Sequence, residues 1–248
     1  MAGAQSILIL GAGDFSGALT IAMANSTYDA TKAQKTSTVG KPDHPAARSL
    51  NHGVSLIATE YRTDAESDTL FKRIDNIRNQ GKPKLALQPG QHDLWTSNMN
   101  GIRVIGGQVI EGFNALTYPA NMGMFDRIIF ENPHTGSYGS SVNDVRNMQA
   151  VNSNRVFLEN IMTQAREHLT AHGFLEIGIC GWPYRSNPTR QQPWDEGMGL
   201  EDTNKATAFA ANLRLRFIDR RDLGLRRVAR NDGTYFQADM LYLRFQRA

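Results

Sequence analysis

The sequence predicts an α/β fold, with a mostly parallel sheet of about seven strands and helices on both faces. Three observations predict it. Short apolar runs alternate with longer stretches whose apolar residues recur at the helical period. The first run, Ile7-Leu8-Ile9-Leu10, leads directly into a glycine turn and then a small-residue helix. The chain has 248 residues, 40% apolar and 21% charged, a globular mixture of a size that one α/β domain reaches. A single domain over residues 1–248 is therefore expected.

The elements follow in order. Ile7 to Leu10 is the first strand, and Ser16 to Ala24 the helix after it. Residues 26–53 are polar and aperiodic and read as a long loop. Val54 to Thr59 is the second strand. Asp64 to Gln80 is a helix with Leu70, Ile74 and Ile77 on one face, ended by Gly81-Lys82-Pro83. Residues 82–100, with Pro83, Pro89 and Gly90, read as an excursion. Ile102 to Ile105 and Gln108 to Phe113 read as short strands about Gly106-Gly107. Phe125 to Glu131 is a buried strand, and Asn154 to Thr170 a helix with Leu158, Ile161, Met162, Ala165 and Leu169 in helical period. Phe174 to Cys180 is a strand, residues 182–200 a loop, and Leu213 to Ile218 and Ala238 to Phe245 the closing strands.

Bulk properties exclude several classes. No apolar run is long enough to cross a bilayer, and no basic segment leads into one near Met1, so neither a membrane protein nor a signal peptide is expected. The single cysteine, Cys180, rules out an internal disulfide and a cysteine-based zinc site, and a cytoplasmic location is the simplest expectation. No metal site is predicted. Net charge is only +3, but Arg214, Arg216, Arg220, Arg221, Arg226, Arg227 and Arg230 crowd one stretch. Such a cluster either grips phosphates or solvates a surface.

The turn Gly11-Ala12-Gly13-Asp14-Phe15-Ser16 is the first chemical signal. Gly11 permits the tight turn, and Gly13 lets the backbone approach a ligand without a Cβ in the way. A dinucleotide site needs a third glycine where Ser16 stands, and it would bring phosphate to the negative Asp14. S-adenosylmethionine (SAM) has no phosphate, and its ammonium group suits an acidic neighbour. The turn therefore favours SAM over NAD. Glu60, followed by Tyr61, ends the second strand, where a carboxylate can accept hydrogen bonds from ribose hydroxyls. Asn114 and Ala115 follow the third strand, where an amide can reach an adenine edge.

The fourth strand delivers Asn132 and Pro133 to the carboxyl edge of the sheet, outside which ligands of open α/β sheets bind. An Asn-Pro pair there resembles the motif of methyltransferases acting on amino nitrogens. The asparagine side chain and a backbone carbonyl orient the nitrogen in that motif. His134 adds a candidate base for a proton released from a ring nitrogen.

Taken together, these segments resemble the Rossmann-like, class I SAM-dependent family related to the eukaryotic large-subunit rRNA uridine-N3 methyltransferase. Gly11 to Ser16 matches its Gly-x-Gly-[Asp/Asn]-Phe-Ser, and Phe125 to Gly136 is close to its Phe-Asp-Arg-Ile-Ile-Phe-Asn-Phe-Pro-His-[Thr/Val]-Gly. Ala58 to Arg62 and Gly112 to Leu116 are softer matches, and the resemblance covers roughly residues 6–180. It departs at Arg62, where the family has an acid, and at Glu131-Asn132, where it has Asn-Phe. The resemblance implies methylation of uridine N3 in rRNA, with RNA as partner. The alternative is a small-molecule SAM enzyme of secondary metabolism, methylating a heteroaromatic nitrogen or using SAM otherwise, with Trp95, Trp182, Tyr184 and Trp194 as aromatic walls.

Overall fold

A computed structural model describes residues 5–12, 15–35, 44–63, 66, 91–131, 133, 145–181, 184–186, 197–229 and 235–248. Seven strands form one sheet. By their packing, the residues cluster into two compact units, one formed by 1–114 with 229–234 and the other by 115–228 with 235–248.

The first unit holds β1 (Gln5–Leu10), α1 (Ser16–Ala24), β2 (Ser26–Tyr28), α2 (Ala30–Lys35), a 3-10 turn (Pro45–Ala47), β3 (Arg48–Leu50), β4 (Val54–Glu60), α3 (Gln91–Ile105) and β5 (Gln108–Glu111). β1 pairs with β4, and β4 with β5, all parallel. Ile7 to Leu10 are all buried, the continuous apolar run of a strand covered on both faces. α1 buries Ala18 and Ala22 and packs on α3.

The second unit holds β6 (Phe125–Glu131), α4 (Val145–Glu167), β7 (Leu169–Ile179), α5 (Thr203–Asn212), β8 (Leu215–Ala229) and β9 (Tyr235–Arg247). β6 and β7 are parallel, and β7 and β9 antiparallel. Leu175, Ile177 and Ile179 of β7 and Leu241, Leu243 and Phe245 of β9 are buried. The intervening residues carry polar groups on the opposite face. There Arg127 grips Glu176 through two bonds (2.8 and 3.3 Å), and Arg244 pairs with Asp219 while its guanidinium sits 4.9 Å over the Phe174 ring.

The sheet order is β5-β4-β1-β6-β7-β9-β8. With the seven sheet strands numbered in chain order this is 3-2-1-4-5-7-6, a doubly wound sheet with an antiparallel strand inserted near one edge. A mostly parallel sheet of about seven strands is what the sequence predicts. β1, α1 and β6 fall where expected.

Other elements differ. Residues 26–53 contain the β2–β3 ribbon, held by the Arg48 guanidinium on Ser26 O and Ser26 Oγ (2.5 and 2.9 Å). Ile102 to Ile105 form no strand. They close α3, whose buried Trp95, Met99, Ile102 and Ile105 recur every three to four residues. The second closing helix, α5, has no counterpart in the expectation. Asp202 caps it, accepting from the amides of Asn204 (2.9 Å) and Lys205 (3.0 Å). α4 begins nine residues earlier than the periodicity suggests, at Val145 rather than Asn154. Apart from Glu66, the predicted helix 64–80 lies outside the described residues. Among the described residues no helix is long and apolar enough to cross a membrane.

Candidate active site

In the first unit the glycine turn is built by backbone. Gly11 has φ 55°, Ala12 N donates to Thr59 O (2.8 Å), and Phe15 N donates back to Ala12 O (2.8 Å). These bonds fix the turn to the end of β4. Phe15 is itself left-handed (φ 60°, ψ 5°), a conformation that costs a non-glycine residue on the order of 1 kcal/mol. Its side chain is fully buried and packs against Trp95, with ring centroids 5.6 Å apart. Phe15 can therefore serve a ligand only through its backbone. Ser16 is exposed at the first turn of α1. Gly13 and Asp14 lie outside the described residues.

Glu60 is the last residue of β4 and is buried. Its Oε1 accepts from Arg62 Nε (3.1 Å) and, at longer range, from Arg62 N (3.4 Å). Its backbone carbonyl accepts from Phe113 N (2.9 Å), which fixes the chain after β5 beside it. Gly112 turns that chain with φ 67°, leaving Asn114 exposed and Ala115 half-buried. Tyr61 is exposed. The turn, the buried carboxylate and the Asn114 amide are thus carried by neighbouring parallel strand ends of one unit. A buried carboxylate, an exposed amide and a backbone turn at neighbouring strand ends fit a nucleoside such as the SAM adenosyl group. Arg62 stands where the resembled family has an acid, and it pairs with Glu60. It orients Glu60, a role that the sequence pattern did not suggest.

In the second unit β6 ends at Glu131, whose side chain is exposed, and Pro133 is buried. Asn132 and His134 lie outside the described residues. The Tyr242 hydroxyl, from β9, donates to Glu131 Oε1. Burial first, and then the Glu131 carboxylate, push the phenol far above its ordinary range, so it stays a donor. Neither residue stands out in the sequence as a site residue. Glu131 had a signal, because it stands where the resembled family has asparagine.

Two of the proposed aromatic walls are core residues. Trp95 is fully buried on Phe15, and Tyr184 is fully buried with its hydroxyl on Asn154 Oδ1 (3.3 Å). Trp182 and Trp194 lie outside the described residues. Cys180 is buried at the end of β7, and that burial pushes its thiol up to about 11, so at neutral pH it is no nucleophile. Among the described residues no cluster of His, Cys, Asp and Glu could hold a metal ion.

A family model described as BMT5-like, rRNA (uridine-N3-)-methyltransferase BTM5-like, matches residues 8–205. No curated protein matches the chain. Among solved structures, the 16S rRNA (adenine(1408)-N(1))-methyltransferase from Catenulisporales acidiphilia is 14% identical with a TM-score of 0.47, over 100% of this chain and 89% of that one. A TehB-like SAM-dependent methyltransferase from Corynebacterium glutamicum is 10% identical (TM-score 0.45; 100% and 83% covered). The glycopeptide N-methyltransferase MtfA, complexed with sinefungin, is 11% identical (TM-score 0.45; 100% and 81%). Likeness this distant carries no argument, and the fold rests on the strand order itself.

Proposed function

The chain belongs to the BMT5-like rRNA (uridine-N3-)-methyltransferase family, and on that premise we propose that it methylates N3 of a uridine in ribosomal RNA. It is a SAM-dependent methyltransferase. The observation that carries the substrate is the family match over residues 8–205, a span that includes the glycine turn and the Asn132-Pro133-His134 segment.

When bound, SAM supplies an electrophilic methyl carbon on a sulfonium sulfur. The residues Gly11, Ala12, Gly13, Asp14, Phe15 and Ser16 hold its methionine end, through backbone at Phe15 and through the acidic side chain at Asp14. Glu60 accepts from the ribose hydroxyls, flanked by Tyr61, while Asn114 and Ala115 meet the adenine. Asn132 and the carbonyl of Pro133 orient the target nitrogen. Uridine N3 carries a proton and attacks poorly while it does, so a base beside it must take that proton. His134 is the sequence candidate for that base. RNA is the macromolecular partner and the cytoplasm the site of action. The small-molecule alternative loses support because two of its four aromatic walls, Trp95 and Tyr184, are fully buried core residues.

Calorimetry tests the cofactor, and primer extension across large-subunit rRNA tests the acceptor. S-adenosylhomocysteine should bind the wild type, and Gly13→Val should weaken that binding at least tenfold. Primer extension should show an N3-methyl stop that vanishes when the gene is deleted. Binding without any such stop would leave the methyltransferase intact and sink the rRNA substrate.

A further inference from the structure

Glu131, Gly178 and Tyr242 occupy one row across three strands. Glu131 of β6 registers with Gly178 of β7, and Gly178 with Tyr242 of β9. Residues in one row point to the same face. The outer two stand two strand spacings apart, about 10 Å, too far for their side chains to meet over an ordinary residue. Gly178 removes the obstacle. A Cβ there would lie 3.1 Å from the Tyr242 ring, 3.0 Å from Met240 Cε and 3.4 Å from Glu131 Cα. The tyrosine ring therefore lies across the glycine, and its hydroxyl reaches Glu131.

This arrangement costs stability. Glycine inside a strand is less favourable than a residue with a side chain, and such glycines mark close approach. What it achieves is an exposed carboxylate held in one orientation at the carboxyl end of β6, directly before Asn132-Pro133-His134. Among the described residues, the Glu131 side chain makes no hydrogen bond besides the one from Tyr242. The other charges that face the phenol are Glu176 of β7 and Arg127 of β6, which are tied to each other, with Arg244 of β9 beside Glu176.

We propose that Glu131 is the catalytic carboxylate that receives the proton of the acceptor nitrogen, and that Tyr242, seated on Gly178, is its positioning residue. The inference rests on the proposed methylation of an N–H nitrogen and reassigns the base from His134. Glu131 accepts the N–H hydrogen bond and orients the nitrogen lone pair. As the nitrogen–carbon bond forms, the methyl carbon's bond to sulfur breaks with its electron pair left on sulfur. The N–H proton passes to the carboxylate and then to water. The acidity of that proton rises as the nitrogen is alkylated, so a carboxylate is base enough for the step.

The test is the pH profile of kcat on a uridine-containing rRNA fragment lacking the methyl group, for the wild type, Glu131→Gln and Tyr242→Phe. Wild-type activity should fall on the acid side. Glu131→Gln should lower kcat by about 100-fold or more, the usual weight of a general base, and abolish that limb, with S-adenosylhomocysteine affinity and melting temperature kept. Tyr242→Phe removes the donor that holds the carboxylate in place, so kcat should fall with KM and S-adenosylhomocysteine affinity little changed. An ultraviolet titration gives a readout independent of turnover, because in Glu131→Gln the Tyr242 phenol should ionise at lower pH than in the wild type. An acid limb in the imidazole range that persists in Glu131→Gln overturns the proposal in favour of His134. A wild type that methylates no uridine overturns the rRNA reading instead, whatever the ultraviolet titration shows.

Discussion

Glu60 and Arg62 show how one residue's value depends on its neighbour two positions on. A carboxylate buried at a strand end is costly unless it is bonded, and Arg62 Nε supplies that bond at 3.1 Å. Removing Arg62 takes a charge-assisted bond from this buried carboxylate, so Arg62→Ala should destabilise the fold by about 1–3 kcal/mol in urea melts. Glu60→Gln keeps the shape but would give up the charge-assisted hydrogen bonds proposed for the ribose. We expect S-adenosylhomocysteine affinity to fall roughly 10- to 100-fold by calorimetry, with little change in melting temperature. Unchanged affinity would take Glu60 out of the cofactor site. The place of Glu60 at a strand end was legible in sequence because strand end and acidic residue are both local signals. The burial of Phe15 was not, since its partner Trp95 sits on a helix that the neighbouring Pro83, Pro89 and Gly90 had made to look like a loop.

Elements are most legible where one apolar face is long and continuous, as in β1 and β6. They mislead where the core face is small or where breakers stand nearby. α5 buries only Ala206 and Ala210, so its periodicity is faint and its clearest mark is the cap at Asp202. Asp202→Ala should cost about 1 kcal/mol, which for a chain of this size lowers the melting temperature by roughly 2–4 °C in a calorimetric scan. A change within error would mean that tertiary packing alone holds α5. The end of α3 shows the opposite error. Ile102 and Ile105 look like a strand when read with Gly106-Gly107, and like the last turn of a helix when counted back to Trp95 and Met99. The row Glu131–Gly178–Tyr242 lay beyond any local pattern, because register across three strands sets it.

For the whole molecule, the net charge of +3 is modest, and its placement decides whether it matters. Arg216 and Arg221 are exposed on β8, and neither side chain is buried in an ion pair among the described residues. If β8 meets RNA phosphates, Arg216→Glu with Arg221→Glu should weaken binding of an rRNA fragment severalfold at low salt. It should also flatten the slope of log K against log salt by about 0.7 for each single-strand phosphate that is no longer neutralised. Affinity for S-adenosylhomocysteine should not move. Binding and slope equal to the wild type would make this stretch a solvated face only. The mostly parallel sheet of about seven strands, in contrast, was anticipated by the alternation of strand and helix, since short right-handed connections leave few other ways to wind such a chain.

The absent side chain at Gly178 also bears on how the sequence can drift. A β-carbon at that position would meet the Tyr242 ring, and a different residue at 242 would leave the Gly178 notch unfilled. Two positions far apart in the chain are thereby bound to a common history. Descendants of this gene should keep both residues or exchange both, and the glutamate at 131 should keep its company with the tyrosine.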